Sequence, residues 1–128
     1  MKKYEVKSTI LGFENTTEVE IHEIDELFST IQDTNNKNIS FTIVNPYLLR
    51  EYSMDLSSSI KILLDINEKS NVSVYNIVVI QEPLEDSTVN FLAPIIINND
   101  NNTIAQAILS KERHPEFGMA EPIKSFRS

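Results

Sequence analysis

Two histidines and a set of scattered carboxylates are the side chains of this sequence that could carry acid–base or metal chemistry. His22 and His114 form neither a His-x-x-x-His nor a His-Glu-x-x-His pair, the spacings that place two ligands of one metal ion on one helix face. Asp25 and Glu26 are adjacent, so they need not share a face or a proton. We therefore predict no catalytic residue and no metal site.

Nucleophiles and phosphate-binding loops are also missing from the sequence. It has no cysteine, which excludes a thiol nucleophile, a zinc knuckle, an iron–sulfur cluster and a disulfide scaffold. Gly12 and Gly118 are its two glycines, so neither a dinucleotide fingerprint nor a P-loop can be formed. A Ser–His–Asp triad is defined by geometry and not by order. A small hydrolase built from His114 and scattered acids therefore stays an alternative to our prediction of a non-enzyme without cofactors.

The charge balance bears on the class of partner. Nineteen acidic residues face eleven basic ones, for a net charge of −8, and such a chain repels nucleic-acid phosphates unless its bases cluster. Residues 1–33 hold eight acids and three lysines, a local charge of 3 − 8 = −5. This region is either a solvated face or a surface that steers towards a basic partner. We predict no direct nucleic-acid binding, because the remaining bases are scattered: Lys37, Arg50, Lys61, Lys69, Lys111, Arg113, Lys124 and Arg127.

Our expectation for the cellular compartment rests on two patterns that the sequence does not show, a signal peptide and a membrane-spanning segment. No apolar run follows the charged start at residues 1–5, so the sequence does not read as a signal peptide. No stretch approaches the roughly 18 apolar residues of a membrane span. We expect a cytoplasmic protein that makes no contact with membranes.

Most of the sequence consists of short segments in which apolar and polar residues alternate, and these segments would have to position any functional site. Apolar patterning predicts strands over residues 4–10, 18–23, 39–44, 72–80, 89–97 and 103–109, with turns at 33–38 and 98–102. The segment 72–80 is the most hydrophobic of these and is predicted to be a buried central strand. Residues 24–31 fit either a helix or a strand. Ser57–Leu64 is predicted to be a short helix capped by Asp55 or Ser57.

This pattern predicts an all-β fold: a small antiparallel barrel or sandwich with one or two short helices. We expect a single domain over residues 1–128, in which 110–128 form an irregular, mobile tail. Pro94 should interrupt its strand as a bulge or at an edge. One shared core is predicted from the alternation of three strands: Phe41, Ile43, Ile77, Val79, Phe91 and Ile95.

The predicted hairpin over residues 88–109 has a more distinctive sequence than two paired strands and a turn require. Residues 88–98 read Thr-Val-Asn-Phe-Leu-Ala-Pro-Ile-Ile-Ile-Asn, and residues 105–109 read Ala-Gln-Ala-Ile-Leu. The hairpin resembles the signature of the FliW family of flagellar assembly factors. Three further segments are similar to the family in the same order, namely Leu11–Glu14 (a Gly-Phe-Glu turn), Phe28–Asp33, and Ser40–Pro46 with Tyr52 six residues further on. In the family the second of these tends to be extended. Residues 112–117 depart from the family, which commonly carries a Tyr-Pro motif there.

The resemblance implies a cytoplasmic regulatory protein that is not an enzyme. Family members bind flagellin near its C-terminal end, and they bind the translational regulator CsrA, which relieves repression of flagellin mRNA. The motif residues that the resemblance marks as partner-binding candidates are Asn45, Pro46, Tyr52, Asn90, Phe91, Ala93, Pro94 and Asn98. Each also has a structural reading: Pro94 shapes its strand, Asn90 and Asn98 satisfy backbone groups, and Phe91 shares a core face with Ile95 and Ile97. A generic β-sandwich module that binds carbohydrate or peptide stays a further alternative.

Overall fold

Alternating apolar side chains build a barrel in this computed structural model, which describes residues 2–126; Met1, Arg127 and Ser128 lie outside the described residues. Within that range the chain forms one short α-helix, α1 (Ser58–Leu63), and three 3-10 turns at Pro46–Leu48, Leu84–Asp86 and Ile123–Ser125. The strands are β1 (Lys2–Val6), β2 (Glu18–Glu23), β3 (Phe28–Asp33), β4 (Ser40–Val44), β5 (Val72–Val79), β6 (Thr88–Val89), β7 (Ile95–Asn98), β8 (Thr103–Gln106) and β9 (Glu121–Pro122).

Seven of these strands close into a ring. The order is β4-β3-β2-β1-β8-β7-β5, and β5 pairs back onto β4. Neighbouring strands of the ring are antiparallel except β1 and β8, which run parallel with Glu5 opposite Thr103. Strand β6 pairs antiparallel with the end of β5, and β9 pairs antiparallel with β6. The all-β prediction is confirmed, with a closed barrel as the architecture.

The apolar residues form two clusters, one on each side of the barrel wall. All seven ring strands contribute to the inner cluster, which includes Val19, Ile31 and Ile43. The outer cluster lies between one face of the wall and the segments that cover it, and it includes Leu64 after α1 and Phe117 near the C-terminus. The barrel is therefore filled by side chains, as expected for a small barrel.

The predicted single core is wrong for half of its members. Ile43 and Ile95 are fully buried inside the barrel and Ile77 packs against them, but Phe91 belongs to the outer cluster. Phe41 and Val79 are exposed. Both share a face with inner residues, but they lie one step beyond Thr42 and Val78, the last residues paired between β4 and β5. Alternation identifies the inward face but does not show where the barrel ends.

The interruption predicted at Pro94 is present, and it accounts for the position of Phe91. β6 ends at Val89 and β7 begins at Ile95. Between them, the Asn90 amide donates to Ile77 and the Phe91 amide donates to Gly118. The segment thereby leaves the regular ladder, so the expectation that Phe91 shares a face with Ile95 and Ile97 is wrong.

Two local ambiguities are resolved by capping side chains. Residues 24–31 do not form a helix, because Asp25 Oδ1 accepts hydrogen bonds from the amides of Leu27 (2.9 Å) and Phe28 (2.7 Å) and turns the chain into β3. Helix α1 begins after Ser57, whose Oγ accepts from the Ile60 amide at 3.2 Å. The predicted helix and its Ser57 cap are confirmed.

The described part of the predicted tail, residues 110–126, is folded against the barrel, while Arg127 and Ser128 of that tail lie outside the described residues. Strand β9 pairs with β6, and the side chains of Phe117 and Ile123 are buried in the outer cluster. The Arg50 guanidinium lies over the Phe117 ring, 4.8 Å from its centre, and forms an ion pair with Glu121 at 3.2 Å. Residues 111–126 are therefore packed onto the barrel. None of the helices formed by residues 2–126 has the length and apolar character needed to cross a membrane.

Candidate functional site

The motif residues after β4 organise the backbone. Asn45 Oδ1 accepts a hydrogen bond from the Tyr47 amide at 3.0 Å, and Pro46 is buried at the first position of the 3-10 turn. Proline suits this position because its φ is already set and no amide hydrogen is needed there. Asn45 and Pro46 therefore end β4 and direct the chain over the outer face of the barrel.

Tyr52 is the centre of a buried polar network behind the signature segment. Its hydroxyl donates to the Phe91 carbonyl and accepts from Asn76 Nδ2 at 3.2 Å. Asn76 Nδ2 also donates to the Asn90 carbonyl at 2.9 Å, and Asn90 Oδ1 accepts from the Leu92 amide at 3.0 Å. Burial raises the pKa of Tyr52 from 10.0 to about 12, so the hydroxyl keeps its proton and stays a donor in alkaline solution in which an exposed tyrosine would ionise.

The remaining motif residues hold the hairpin in place. Asn98 Nδ2 donates to the Leu64 carbonyl at 2.8 Å, and its Oδ1 accepts from the Asp100 amide at 2.9 Å, which joins the β7–β8 turn to the end of α1. The carbonyls of Ala93 and Pro94 accept from Gln106 Nε2 (3.1 Å) and the Ala107 amide (2.9 Å). The motif therefore uses its polar groups mainly within the chain.

An open apolar cleft lies at the end of the barrel where three motif segments meet: the Gly12 turn, the start of β4 and the signature hairpin. We call it the apolar cleft; its volume is about 270 Å³, and its lining includes Leu11, Phe41, Val79, Asn90, Ala93 and Met119. Leu11 is 68% exposed and Met119 is 69% exposed. Exposed apolar side chains gathered in one concave surface mark an interaction site better than single exposed residues do. Of the eight motif candidates, Asn90 and Ala93 reach this cleft.

Two residues fix the shape of the apolar cleft. Gln106 Oε1 accepts from the Leu11 amide at 2.8 Å while its Nε2 holds the Ala93 carbonyl, so one side chain joins the Gly12 turn to the signature hairpin. Gly12 has a φ of +91°, and a Cβ there would lie 2.7 Å from the Phe41 ring. A glycine is therefore required both by the backbone conformation and by the close approach of Phe41.

Sequence reasoning missed most of the cleft-lining side chains. The alternation places Phe41 and Val79 in the core, Leu11 enters only as the start of the motif turn at 11–14, and no pattern predicts a role for Met119. The register of β4 against β5 would have revealed the first two, because it places both at the same end of the barrel. No local pattern marks Met119, since it reaches the cleft only through the packing of the C-terminal segment.

The histidines do not combine with the acids of the described chain into a catalytic or metal-binding group. His22 is half-buried beside Glu20, 3.2 Å from its carboxylate. His114, expected in a mobile tail, is instead buried, stacks on Phe117 and has its Nδ1 3.2 Å from the Ser110 carbonyl. Residues 2–126 contain no cluster of three or more acids and histidines that could hold a metal ion.

Comparisons with known proteins agree on one family. The family model described as "FliW protein" matches residues 1–122. "Flagellar assembly factor FliW 1" of Wolinella succinogenes is 50% identical over 123 residues, which covers 96% of each chain. "Flagellar assembly factor FliW" of Sulfurimonas denitrificans is 44% identical and covers 97% of each chain. A solved structure, "Crystal structure of the flagellar assembly factor FliW", matches with a TM-score of 0.85 at 23% identity, over 94% of this chain and 84% of the other. The structural match shows the fold.

Proposed function

The chain belongs to the FliW family of flagellar assembly factors, and from this premise we propose that it binds flagellin through the C-terminal region of flagellin and also binds the translational regulator CsrA. The observation that carries the flagellin part is the apolar cleft. It is built by the segments that define the family motif, namely the Gly12 turn, the start of β4 and the signature hairpin.

The chemistry of the apolar cleft suits one face of an amphipathic helix. Leu11, Val79 and Met119 present exposed apolar surface around a concave centre, and helices bind such grooves through side chains spaced three or four residues apart. Hydrogen bonds from Asn76 and Gln106 hold the Asn90 and Ala93 carbonyls in the cleft, so we expect little ordering of this backbone on binding. We assign the C-terminal helical region of flagellin to this cleft.

The charge of the chain favours a basic second partner. CsrA is a basic RNA-binding protein, and a net charge of −8 attracts it over long distances. In this scheme flagellin that accumulates in the cytoplasm captures the chain, and CsrA is then free to repress flagellin mRNA. Export of flagellin reverses the exchange. The scheme needs binding alone, with no reaction step, no cofactor and no direct contact with nucleic acid.

Binding of purified flagellin to three single variants tests this assignment. Leu11→Asn and Met119→Asn place an amide in the apolar cleft, and each should weaken flagellin binding about tenfold or more, as expected for a central interface side chain. Ile62→Asn is the matched control, because Ile62 is 81% exposed on α1 and does not line the cleft. Equal affinities of all three variants and the parent, measured by isothermal titration calorimetry, would refute the assignment.

A further inference from the structure

A second concave surface lies between the start of β3 and the two 3-10 turns at Leu84–Asp86 and Ile123–Ser125. Its volume is about 640 Å³, and it shares no lining residue with the apolar cleft. Leu27, Phe28, Leu84 and Ile123 form an apolar floor. Leu84 is 51% exposed, so the floor offers a large apolar side chain to solvent.

Carboxylates surround this floor. Asp25, Glu26 and Glu85 line the surface, and we call it the acidic groove. Its single lysine, Lys124, is 2.9 Å from Asp86 and so already has a carboxylate partner. Within residues 2–126, neither Glu26 nor Glu85 forms an ion pair. The groove therefore presents an excess of negative charge, three carboxylates against one lysine, beside an exposed apolar surface.

We infer that the acidic groove binds a basic amphipathic segment of a protein partner, with an apolar side chain of that segment on the floor and its lysines or arginines at the rim. The inference rests on the proposed function: of the two partners named there, it assigns the basic one, CsrA, to this groove. Nucleic acids and anionic membranes are repelled by the same carboxylates. A second copy of the chain is disfavoured because each copy carries a net charge of −8.

The rim and the floor should act on different steps of binding. Charges at the rim accelerate association, and salt screens them because the Debye length falls to about 8 Å at about 0.15 M salt. Apolar contact on the floor resists dissociation and depends little on salt. A groove of this kind therefore predicts that rim variants change the on-rate and that floor variants change the off-rate.

Surface plasmon resonance with purified CsrA tests the inference. The double variant Glu26→Lys/Glu85→Lys should associate about tenfold more slowly than the parent at about 50 mM salt, and the difference should shrink to about twofold at 500 mM. Leu84→Asn should dissociate about tenfold faster at both salt concentrations. The control Glu68→Lys/Glu112→Lys makes the same change of charge at exposed residues outside the groove, and it should have a smaller effect on association.

The outcomes separate this inference from the function on which it rests. If the parent chain binds CsrA and the groove variants match their control, the groove assignment is overturned while the proposed function stands. If the parent does not bind CsrA, the CsrA part of the proposed function fails and the groove assignment fails with it. Loss of flagellin binding alone, or a dimer of this chain that the double variant dissociates, would give the groove another occupant and would also overturn the inference. Circular dichroism melting curves check that each variant is folded.

Discussion

At the scale of single residues, the hydroxyl of Tyr52 supports the signature segment from inside the fold. It bridges the Phe91 carbonyl and Asn76 Nδ2, and the Tyr52 and Asn76 side chains are both buried. Buried polar groups that lose a partner pay a desolvation cost. The position of Asn90 in the apolar cleft is therefore set from behind, by the Tyr52 and Asn76 side chains, which do not line the cleft.

Replacing Tyr52 with Phe tests this role. The variant leaves the Phe91 carbonyl without its donor, and the free energy of unfolding should fall by about 1–3 kcal/mol. Tyr47→Phe is the matched control, because Tyr47 is half-exposed and its hydroxyl has no hydrogen bond within residues 2–126. Urea denaturation measures both variants. Equal stabilities of the two would show that the Tyr52 hydroxyl contributes nothing to the fold.

The same hydroxyl predicts a pH dependence. Burial raises the pKa of Tyr52 from 10.0 to about 12 in the folded chain, so the folded state holds a proton that the unfolded state releases. Its contribution to stability is complete below pH 10.0 and is lost as the pH rises from 10.0 to about 12. Burial also raises the pKa of Tyr4, Tyr47 and Tyr75, so the melting temperature of the Tyr52→Phe variant should still fall over this pH range.

Because the variant lacks the contribution of Tyr52, its melting temperature should fall less steeply with pH than that of the parent. Identical slopes would contradict the assignment.

At the scale of elements, the C-terminal segment is part of the folded unit. Phe117 is buried in the outer cluster, packs against the Tyr52 ring in a tilted arrangement with ring centres 4.7 Å apart, and lies under the Arg50 guanidinium. Met119, two residues further on, is exposed in the apolar cleft. The segment thus covers the outer cluster and also contributes one wall of the cleft.

Truncation of Phe117 should destabilise the fold strongly, whereas truncation of Met119 should leave its stability almost unchanged. Phe117→Ala removes a buried aromatic ring and should lower the free energy of unfolding by about 3–5 kcal/mol. Met119→Ala removes an exposed side chain and should change stability by less than about 0.5 kcal/mol. Chemical denaturation of both variants provides the measurement. A Phe117→Ala variant as stable as the parent would show that residues 111–126 are not packed in solution.

The elements also show how far the sequence alone predicts the fold. The strand over Glu18–Glu23 and the helix after Ser57 follow from local signals, period-2 alternation and an N-cap. Phe41 and Phe117 do not, because their environments depend on contacts far away in the sequence: the end of the barrel for one and Arg50 for the other. The candidate site was predicted least well, because the motif residues that the sequence shows clearly are mainly those that hold the backbone.

At the scale of the whole molecule, the two proposed interfaces differ in the interactions that they offer a partner, apolar contact in one and electrostatic attraction in the other. The apolar cleft is lined mainly by uncharged side chains, and the acidic groove is rimmed by carboxylates. The acid-rich region of residues 1–33 contributes Asp25 and Glu26 to the groove and places Glu18, Glu20 and Glu23 on β2. Long-range charge and local apolar contact should therefore select different partners.

The salt dependence of the two associations should differ for this reason. Raising the salt from about 50 mM to about 500 mM should slow CsrA association strongly, with a nearly constant off-rate, and should change flagellin binding much less. Reversing Glu18, Glu20 and Glu23 to Lys should slow CsrA association more than flagellin association. If this triple variant leaves both on-rates unchanged while the groove variants reduce one of them, the β2 carboxylates are only a solvated face.

The most direct test of the account is a translation measurement with purified components. A reporter whose mRNA carries the flagellin leader is translated in vitro with enough CsrA to repress it, and the chain is then added, followed by flagellin. We predict that the parent chain restores translation, that flagellin removes this effect, and that a Met119→Asn variant still restores translation but responds only weakly to flagellin. Repression that persists at saturating concentrations of the parent chain would contradict the account.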